Sequence, residues 1–415
     1  MTSTTSPMAA TEASAATPAS QRFFRHFVRQ MGASGLTPAE AARHLWRPCD
    51  YDAVAASTES RHTMLSRLAL GADELASQMD APTVIPARVD TTRPAPALLL
   101  LPGFTHETLR HRSWHEVVDD TDSPHHLVHL TPGDHGACSE RHRGRADGLP
   151  IAYVGYPRSN AHARIIVPGI AQLLRESTSV QQWCREGRQL ILVGYSNGAP
   201  LALELLARLN RGELDAGAVR ESMAAMVSLC GDIQGSYLAD DVMSAHPRFL
   251  SMTKVVAFAE RHPLLARLIG LGTPQLRADM LDGVRSLGHA ERQAALAEWS
   301  TDLPADLQYL SIAAVLPLAD YRRHWWQFNL DDLAMYRQAR VTDPITPLND
   351  GQVAWGDARL PELPHVPASR QHDLGVVRAH HWAVSYRTFN FGRNRFPRAA
   401  FNRALYATVC ELLES

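Results

Sequence analysis

The chain has 415 residues, of which 45% are hydrophobic and 20% are charged, a composition typical of globular proteins with an apolar core. Its formal net charge of −2 argues against a nucleic-acid-binding protein or one that binds anionic membranes. No apolar run approaches the ~20 residues that a membrane-spanning helix needs. The length predicts either two domains or one large α/β domain with insertions.

The N-terminal residues, the cysteines and the single lysine exclude further classes of protein. Residues 1–20 are small and polar, without the basic start and apolar stretch of a secretory signal, so we predict a disordered tail. The five cysteines are scattered and form no CxxC pair, which favours reduced thiols and a cytoplasmic location. Lysine occurs once, at Lys254, and no GxxxxGK sequence exists. The chain is therefore not a P-loop nucleotide hydrolase.

The predicted elements follow one another in a regular order after the tail. Residues 21–90 are predicted to form a helical and extended accessory segment, in which apolar residues up to about residue 81 recur at helical spacings of three and four. Apolar runs of strand length then alternate with helical patterns, which predicts a doubly wound, mostly parallel sheet. The predicted strands are 97–101, 149–157, 189–194, 224–231, 307–317 and 374–379, and the predicted helices are 162–176, 201–209 and one that closes the chain.

The alternation stops in the middle of the chain, where residues 241–305 carry only amphipathic helical patterns. This stretch predicts a helical cap inserted into the sheet domain. The predicted organisation is therefore a first part of the core at 91–240, the cap at 241–305, and a second part of the core at 306–415.

One segment, QLILVGYSNGAPLALELLARL at 189–209, carries a pattern with chemical meaning. An apolar strand leads directly into Gly194-x-Ser196-x-Gly198 and then into a helical pattern. The glycines leave room for a sharp turn, and a helix N-terminus stabilises a developing oxyanion. Serine is a weak nucleophile at its free pKa and needs a positioned base. The segment therefore predicts Ser196 as a catalytic nucleophile.

This elbow, with the motifs around it in the same order, resembles the α/β-hydrolase superfamily and is most similar to its bacterial lipase and esterase branch. The similarity runs from residue 97 to the C-terminus. It implies an α/β-hydrolase fold, to which the sequence patterns add an inserted helical cap and an N-terminal helical segment that lies outside the similarity. It also implies an oxyanion hole made by two backbone N–H groups, which fall on Phe104, in LLLLPGFTHE, and on Asn197.

A second stretch supports the same resemblance without adding a catalytic role. GSYLAD at 235–240 is similar to a run that follows the next strand in lipases. The letters GDI at 231–233 replace the Thr-Pro-His that usually precedes that run. We therefore expect this stretch to reflect family membership rather than mechanism.

The resemblance implies an acid after a late strand and a histidine after the last strand, in the chain order Ser, Asp, His. Asp350, in NDGQV, matches the acid position. Asp343, in TDPITP, is the rival, because other branches place the acid in an Asp-x-x-x-Pro setting. His381 is favoured as the base over His380, because its His-Trp-Ala-Val run resembles the family's histidine loop.

Aromatic residues provide the candidates for substrate binding. Tyr195, Trp325 and Trp326 are predicted to contact the substrate, although the two tryptophans are equally expected to pack in the core. The histidine-rich, loop-rich region at 106–142 has no HxH or HExxH spacing with carboxylates. We therefore predict no metal site and no cofactor.

The expected protein is a serine hydrolase that cleaves a small-molecule acyl ester or thioester, with carboxylic esters favoured, through an acyl-enzyme intermediate. An acyltransferase or thioesterase would use the same triad, and a non-catalytic ligand-binding protein of the same fold is a third reading. Lipases often carry histidine before the nucleophile and a His-Gly pair in the oxyanion loop. This chain has Tyr195 and Pro102-Gly103 there, so a triacylglycerol lipase is not implied.

Overall fold

The computed structural model of the protein describes residues 18–49, 61–79, 94–104, 125–133, 137–145, 147–262, 271–323, 330–385 and 396–414. An eight-stranded sheet forms its centre. In chain order the strands are β1 (Ala97–Leu101), β2 (His125–Pro132), β3 (Cys138–Gly144), β4 (Leu149–Val154), β5 (Leu190–Tyr195), β6 (Met223–Leu229), β7 (Gln308–Ala314) and β8 (Gln371–Val377).

Helices precede, connect and follow these strands. In chain order they are α1 (Pro18–Ala33), α2 (Pro38–Ala41), α3 (Arg61–Leu68), α4 (Ala72–Met79), α5 (Ala163–Glu176), α6 (Thr178–Arg185), α7 (Gly198–Asn210), α8 (Val219–Ser222), α9 (Tyr237–Met243), α10 (Met252–Arg261), α11 (Pro274–Ser286), α12 (His289–Trp299), α13 (Leu318–Arg323), α14 (Leu330–Thr342), α15 (Trp355–Ala358), α16 (His381–Ser385) and α17 (Arg398–Glu414). None of the helices in the described ranges has both the length and the apolar character that a bilayer crossing requires.

The strands lie in the order β3-β2-β4-β1-β5-β6-β7-β8. Strands β2 and β3 pair antiparallel, and every other neighbouring pair is parallel. Parallel strands present their carboxyl ends at one edge of the sheet, where active sites of α/β proteins form. The predicted doubly wound, mostly parallel sheet is therefore confirmed, and β1 has the predicted bounds.

Strand β5 shows why the apolar runs form central strands. All six of its residues are buried. Leu190 and Leu192 face the core layer that contains α5 and α7, and Ile191 and Val193 face the opposite layer, which contains α1 and α17. Because side chains alternate along a strand, a strand covered on both faces must be apolar at every position.

The N-terminal helix α1 is part of the core layer on one face of the sheet. It packs against α17 and β8. Phe27 is fully buried, with its ring centroid 5.7 Å from that of Phe401 and 5.9 Å from that of Phe396. Of the predicted tail, residues 18–20 form the first turn of α1, while residues 1–17 lie outside the described residues. The first described residues of the chain thus pack against the last described ones.

The hairpin of β2 and β3 was not predicted, because residues 106–142 were interpreted as loop-rich. Both strands lie within that region or at its end, and together they form one edge of the sheet. Strand β3, CSERHRG, has no buried residue. An edge strand with charged side chains carries no apolar pattern, so its sequence is indistinguishable from that of a polar loop.

In its described residues, 241–262 and 271–305, the predicted cap region between β6 and β7 is mainly helical, as its sequence pattern indicates. Ionic contacts attach it to the sheet domain, among them those of Arg158 and His289. Arg158, in the loop after β4, donates two hydrogen bonds to Asp279 of α11, with N–O distances of 2.8 and 2.6 Å. His289, the first residue of α12, has Nδ1 2.6 Å from Asp240 Oδ2 and Nε2 3.2 Å from Asp357 Oδ2. The cap is therefore attached through side chains from three separate loops and helices.

His289 makes this attachment dependent on pH. Its hydrogen bond to Asp240 and then its contact with Asp357 raise its pKa from 6.5 to about 9. The protonated imidazole donates to Asp240 and forms an ion pair with Asp357, so its contribution to stability is complete below pH 6.5 and is lost as the pH rises through 9. We expect His289→Gln to lower the free energy of unfolding by about 1–2 kcal/mol at pH 6 and by little at pH 10. Denaturant titrations at both pH values measure this difference.

The exposed His262, at the end of α10, provides the matched control. His262→Gln should leave the free energy of unfolding unchanged at both pH values. An equal loss of stability in His289→Gln at pH 6 and pH 10 would show that the positive charge of His289 does not stabilise the attachment of the cap.

Candidate active site

Ser196 stands at a strained turn between β5 and α7. Its φ of 52° lies in the left-handed region, which costs a non-glycine residue about 1 kcal/mol or more and persists where surrounding structure enforces it. Gly194 makes the turn possible, since a Cβ there would lie 2.4 Å from Ala199 Cα. The turn directs the Ser196 side chain to the carboxyl edge of the sheet.

Three side chains that the sequence singled out meet at this turn. Ser196 Oγ lies 2.9 Å from His381 Nε2, and His381 Nδ1 lies 2.6 Å from Asp350 Oδ2. All three residues are buried. They come from three separate places in the chain: Ser196 follows β5, Asp350 lies in the loop after α14, and His381 follows β8. The arrangement allows a serine hydroxyl to pass its proton to an imidazole that a carboxylate orients.

The two alternatives left open by the sequence are separated in space. His380 Nε2 lies 3.0 Å from Asp332 Oδ1, and its Nδ1 accepts a hydrogen bond from the Ala383 amide. Asp343 follows the end of α14, where its amide donates to the Ala339 carbonyl. Neither side chain takes the place of His381 or Asp350 in the contact with Ser196.

The loop around Asp350 holds the carboxylate and the histidine together. Asp350 Oδ1 accepts hydrogen bonds from the amides of Gln352 and Val353, at 2.9 and 2.8 Å. The His381 amide donates to the Asp350 carbonyl at 2.9 Å. Burial lowers the pKa of His381, but the charge and hydrogen bond of Asp350 and the charge of Asp232 outweigh it, so the pKa of His381 is raised. The imidazole is thus a stronger base than a free histidine.

The two predicted oxyanion donors flank Ser196. A Cβ on Gly103 would lie 2.9 Å from Ser196 Cβ, so the Gly103–Phe104 peptide runs directly beside the serine. Tyr156 Oη donates to the Pro102 carbonyl at 2.6 Å and fixes this loop. Within the described residues, no backbone carbonyl accepts a hydrogen bond from the Phe104 or Asn197 amide. The role of the two amides as oxyanion donors stays a prediction.

The predicted substrate contacts have different outcomes. Tyr195 is only 1% exposed, and its hydroxyl donates to the His381 carbonyl at 3.0 Å. This position supports a role in holding the histidine loop, and a contact between Tyr195 and substrate stays a prediction. Trp325 and Trp326 lie outside the described residues.

The histidine-rich region contributes no metal ligands in the part that the structure describes. His126 Nε2 lies 3.1 Å from His142 Nδ1 across the β2–β3 hairpin. No group of three or more His, Cys, Asp or Glu side chains in the described ranges is arranged to hold a metal ion. His106, His111, His115 and His135 lie outside these ranges.

One residue of the site was missed by the sequence analysis, which gave residues 231–233 no role. The Asp232 side chain is buried, and its Oδ2 lies 3.4 Å from Ser196 Oγ. Asp232 follows β6, the neighbour of β5 in the sheet. Because adjacent parallel strands end at the same edge, a carboxylate just after β6 was the signal that could have identified it.

The parallel sheet, the strand-turn-helix elbow and the loops that meet at its carboxyl edge define an α/β-hydrolase fold, and this protein has that fold. Among solved structures, it is similar to a metagenomic carboxyl esterase, MGS0156, at 22% identity over 80% of each chain with a TM-score of 0.49. It is also similar to the lipase BlEst2 of Bacillus licheniformis, at 17% identity over 71% of this chain and 88% of that one, with a TM-score of 0.39. No family model and no curated protein matches the chain.

Proposed function

We propose that this protein is a serine hydrolase that cleaves a carboxylic ester through an acyl-enzyme intermediate, with Ser196, His381 and Asp350 as its triad. The observation that carries this proposal is the pair of short hydrogen bonds from Ser196 Oγ to His381 Nε2 and from His381 Nδ1 to Asp350 Oδ2. The strained φ of Ser196 adds support, because strain of this kind is retained where chemistry needs it.

In this mechanism His381 Nε2 takes the hydroxyl proton while Ser196 Oγ bonds to the carbonyl carbon of the ester. The amides of Phe104 and Asn197 donate to the resulting oxyanion, and each such donor is worth about 3 kcal/mol in the transition state. His381 then gives its proton to the departing alcohol. Water, deprotonated by the same imidazole, attacks the acyl-enzyme and releases the acid. Asp350 holds the imidazole in the required tautomer throughout.

Intact mass after incubation with a fluorophosphonate tests the activated serine. In this reaction Ser196 Oγ bonds to phosphorus, the serine proton moves to His381, and fluoride leaves. We expect one adduct on the wild type and none on Ser196→Ala. Ser228→Ala is the matched control: Ser228 is fully buried in β6, and its hydroxyl has no hydrogen-bond partner among the described residues, so this variant should be labelled like the wild type. A folded wild type that stays unmodified would contradict the proposal.

Product analysis separates hydrolysis from acyl transfer. Wild-type enzyme that has not been exposed to fluorophosphonate is incubated with a panel of esters and thioesters, with and without an added alcohol acceptor. Release of free acid in the absence of the acceptor supports the hydrolase. Product formation that requires the acceptor favours an acyltransferase. Turnover of any ester excludes a binding-only protein.

A further inference from the structure

A buried carboxyl group stands beside the nucleophile and has no part in the mechanism above. Asp232 Oδ2 lies 3.4 Å from Ser196 Oγ. Within the described residues, no cationic nitrogen lies within 4.0 Å of the Asp232 carboxylate, whereas the Asp350 carboxylate is paired with His381. Burying an ionisable carboxyl without a direct ion pair costs several kcal/mol. Such groups are retained at functional sites more often than elsewhere.

The chain is bent to bring Asp232 to this place. Cys230, just after β6, has a φ of 47°, which is in the left-handed region for a residue that has a Cβ. Its amide donates to the Ile312 carbonyl of β7, so the turn is held by the sheet. Strand β6, the neighbour of β5, thus also ends in a strained turn, and this turn places the Asp232 carboxyl group beside Ser196.

Arg292, in the cap helix α12, lies behind Asp232. It is 4% exposed, and its Nε donates to the carbonyl of Ile233, the residue after Asp232. Its Nη2 has no hydrogen-bond partner among the described residues. The guanidinium therefore acts through space on two carboxyl groups, Glu204 of α7 and then Asp232, as a positive charge fixed by the cap.

The serine hydroxyl has one proton and two neighbours that can accept it. If Ser196 donates to His381 Nε2, the contact with Asp232 is favourable only when Asp232 carries a proton and donates to Oγ. If His381 is protonated and donates to Oγ, Ser196 donates to an ionised Asp232. These two arrangements hold the same number of protons, so Asp232, Ser196 and His381 form one hydrogen-bonded chain.

We propose that Asp232 is a positioning residue of the catalytic site that shares the Ser196 proton with His381 and so sets the pH below which the serine stops reacting. The reactive form has an ionised Asp232 and a neutral His381. Adding one proton to the chain blocks the reaction, either because His381 Nε2 is occupied or because Asp232 donates to Oγ and withdraws its electrons. This inference rests on the proposed function.

The charges around the pair fix the expected direction. Asp232 faces His381 of α16, Asp350 of the acid loop and Arg292 of α12; burial, the largest cause, raises its pKa to about 6. His381 faces Asp350 and Asp232. The thiol of Cys230 stays neutral, because burial raises its pKa well above the ordinary value. Removing the Asp232 charge therefore lowers the pKa of His381, whereas removing the Arg292 charge favours the protonated chain.

The test is the second-order rate constant of fluorophosphonate labelling as a function of pH. For Asp232→Asn we expect the midpoint of the acid limb to move to lower pH by about one unit, the lower end of the effect of a nearby charge. At pH values well below the midpoint, labelling then becomes about tenfold faster relative to the plateau rate. For Arg292→Met we expect a shift in the opposite direction. A merely structural role would change the plateau rate in either variant and leave the midpoint in place.

Asp279→Asn is the matched control, because Asp279 is equally buried but pairs with Arg158 in the cap; its midpoint should equal that of the wild type. Midpoints of both site variants that coincide with that of the wild type would overturn the role of Asp232 while leaving the triad intact. If Asp232→Asn does not fold, the Arg292→Met profile alone decides. A wild type that is not labelled at any pH would overturn the proposed function, and this inference with it.

Discussion

Asp350→Asn should lower kcat for ester hydrolysis by about 10⁴-fold, the loss expected when a triad histidine is held in the wrong tautomer. Oδ1 of residue 350 accepts two backbone N–H groups, from Gln352 and Val353. An asparagine must therefore keep its oxygen there and turn its NH₂ group toward His381 Nδ1. Nδ1 then becomes an acceptor and Nε2 carries the proton, so the imidazole cannot take a proton from Ser196. Steady-state kinetics at saturating substrate measure the effect.

Asp343→Asn is the matched control for this prediction, because Asp343 is the rival acid in the sequence and follows α14 away from the contact with His381. It should keep kcat within about twofold, because the half-buried Asp343 is not the carboxylate that contacts His381. The reverse pattern, with activity lost in Asp343→Asn and retained in Asp350→Asn, would refute the assignment of the acid.

Phe27→Ala should lower the free energy of unfolding by about 3–5 kcal/mol, the usual cost of removing a buried phenylalanine ring. Phe27 has no exposed surface and packs between Phe396 and Phe401 near the C-terminus. The loss is large against the ~5–15 kcal/mol by which domains are stable. Urea unfolding of the wild type and the variant provides the measurement. A large effect would show that α1 is part of the core and not a dispensable accessory.

Phe258→Ala is the corresponding control, since Phe258 is 47% exposed on the cap helix α10. It should change the free energy of unfolding by no more than about 0.5 kcal/mol. Equal, small effects of both substitutions would show that the N-terminal helix folds and packs independently of the sheet.

Much of the fold could be predicted, because the central strands carry a local signal. Residues 97–101 form β1 with the predicted bounds, since a strand buried on both faces must be apolar throughout. The β2–β3 hairpin escaped prediction, since β3 lies at the sheet edge with no buried face. Its pairing partner, rather than its own side chains, makes it a strand.

The candidate site was predicted unevenly for the same reason. Ser196 follows from a contiguous motif whose turn geometry depends on glycines two residues away on each side. Asp232 lies only a few residues after β6 in the chain, but its importance depends on β6 lying next to β5. A single sequence shows a carboxylate just after β6, but it does not state which strands are neighbours, so the sequence alone did not place this carboxyl group beside the nucleophile.

The sequence by itself determined the alternation of strands and helices and the elbow at Ser196, because hydrophobic period and turn chemistry act between residues that are close along the chain. Only the tertiary structure decided that His381 rather than His380 contacts Ser196, and that Asp350 rather than Asp343 contacts His381. Asp350 and His381 are 31 positions apart in the sequence, and Ser196 and His381 are 185 apart. The order of the parallel strands brings all three to one edge of the sheet. The physical reason is that a hydrogen bond depends on distances of a fraction of an ångström, which packing of the whole sheet sets.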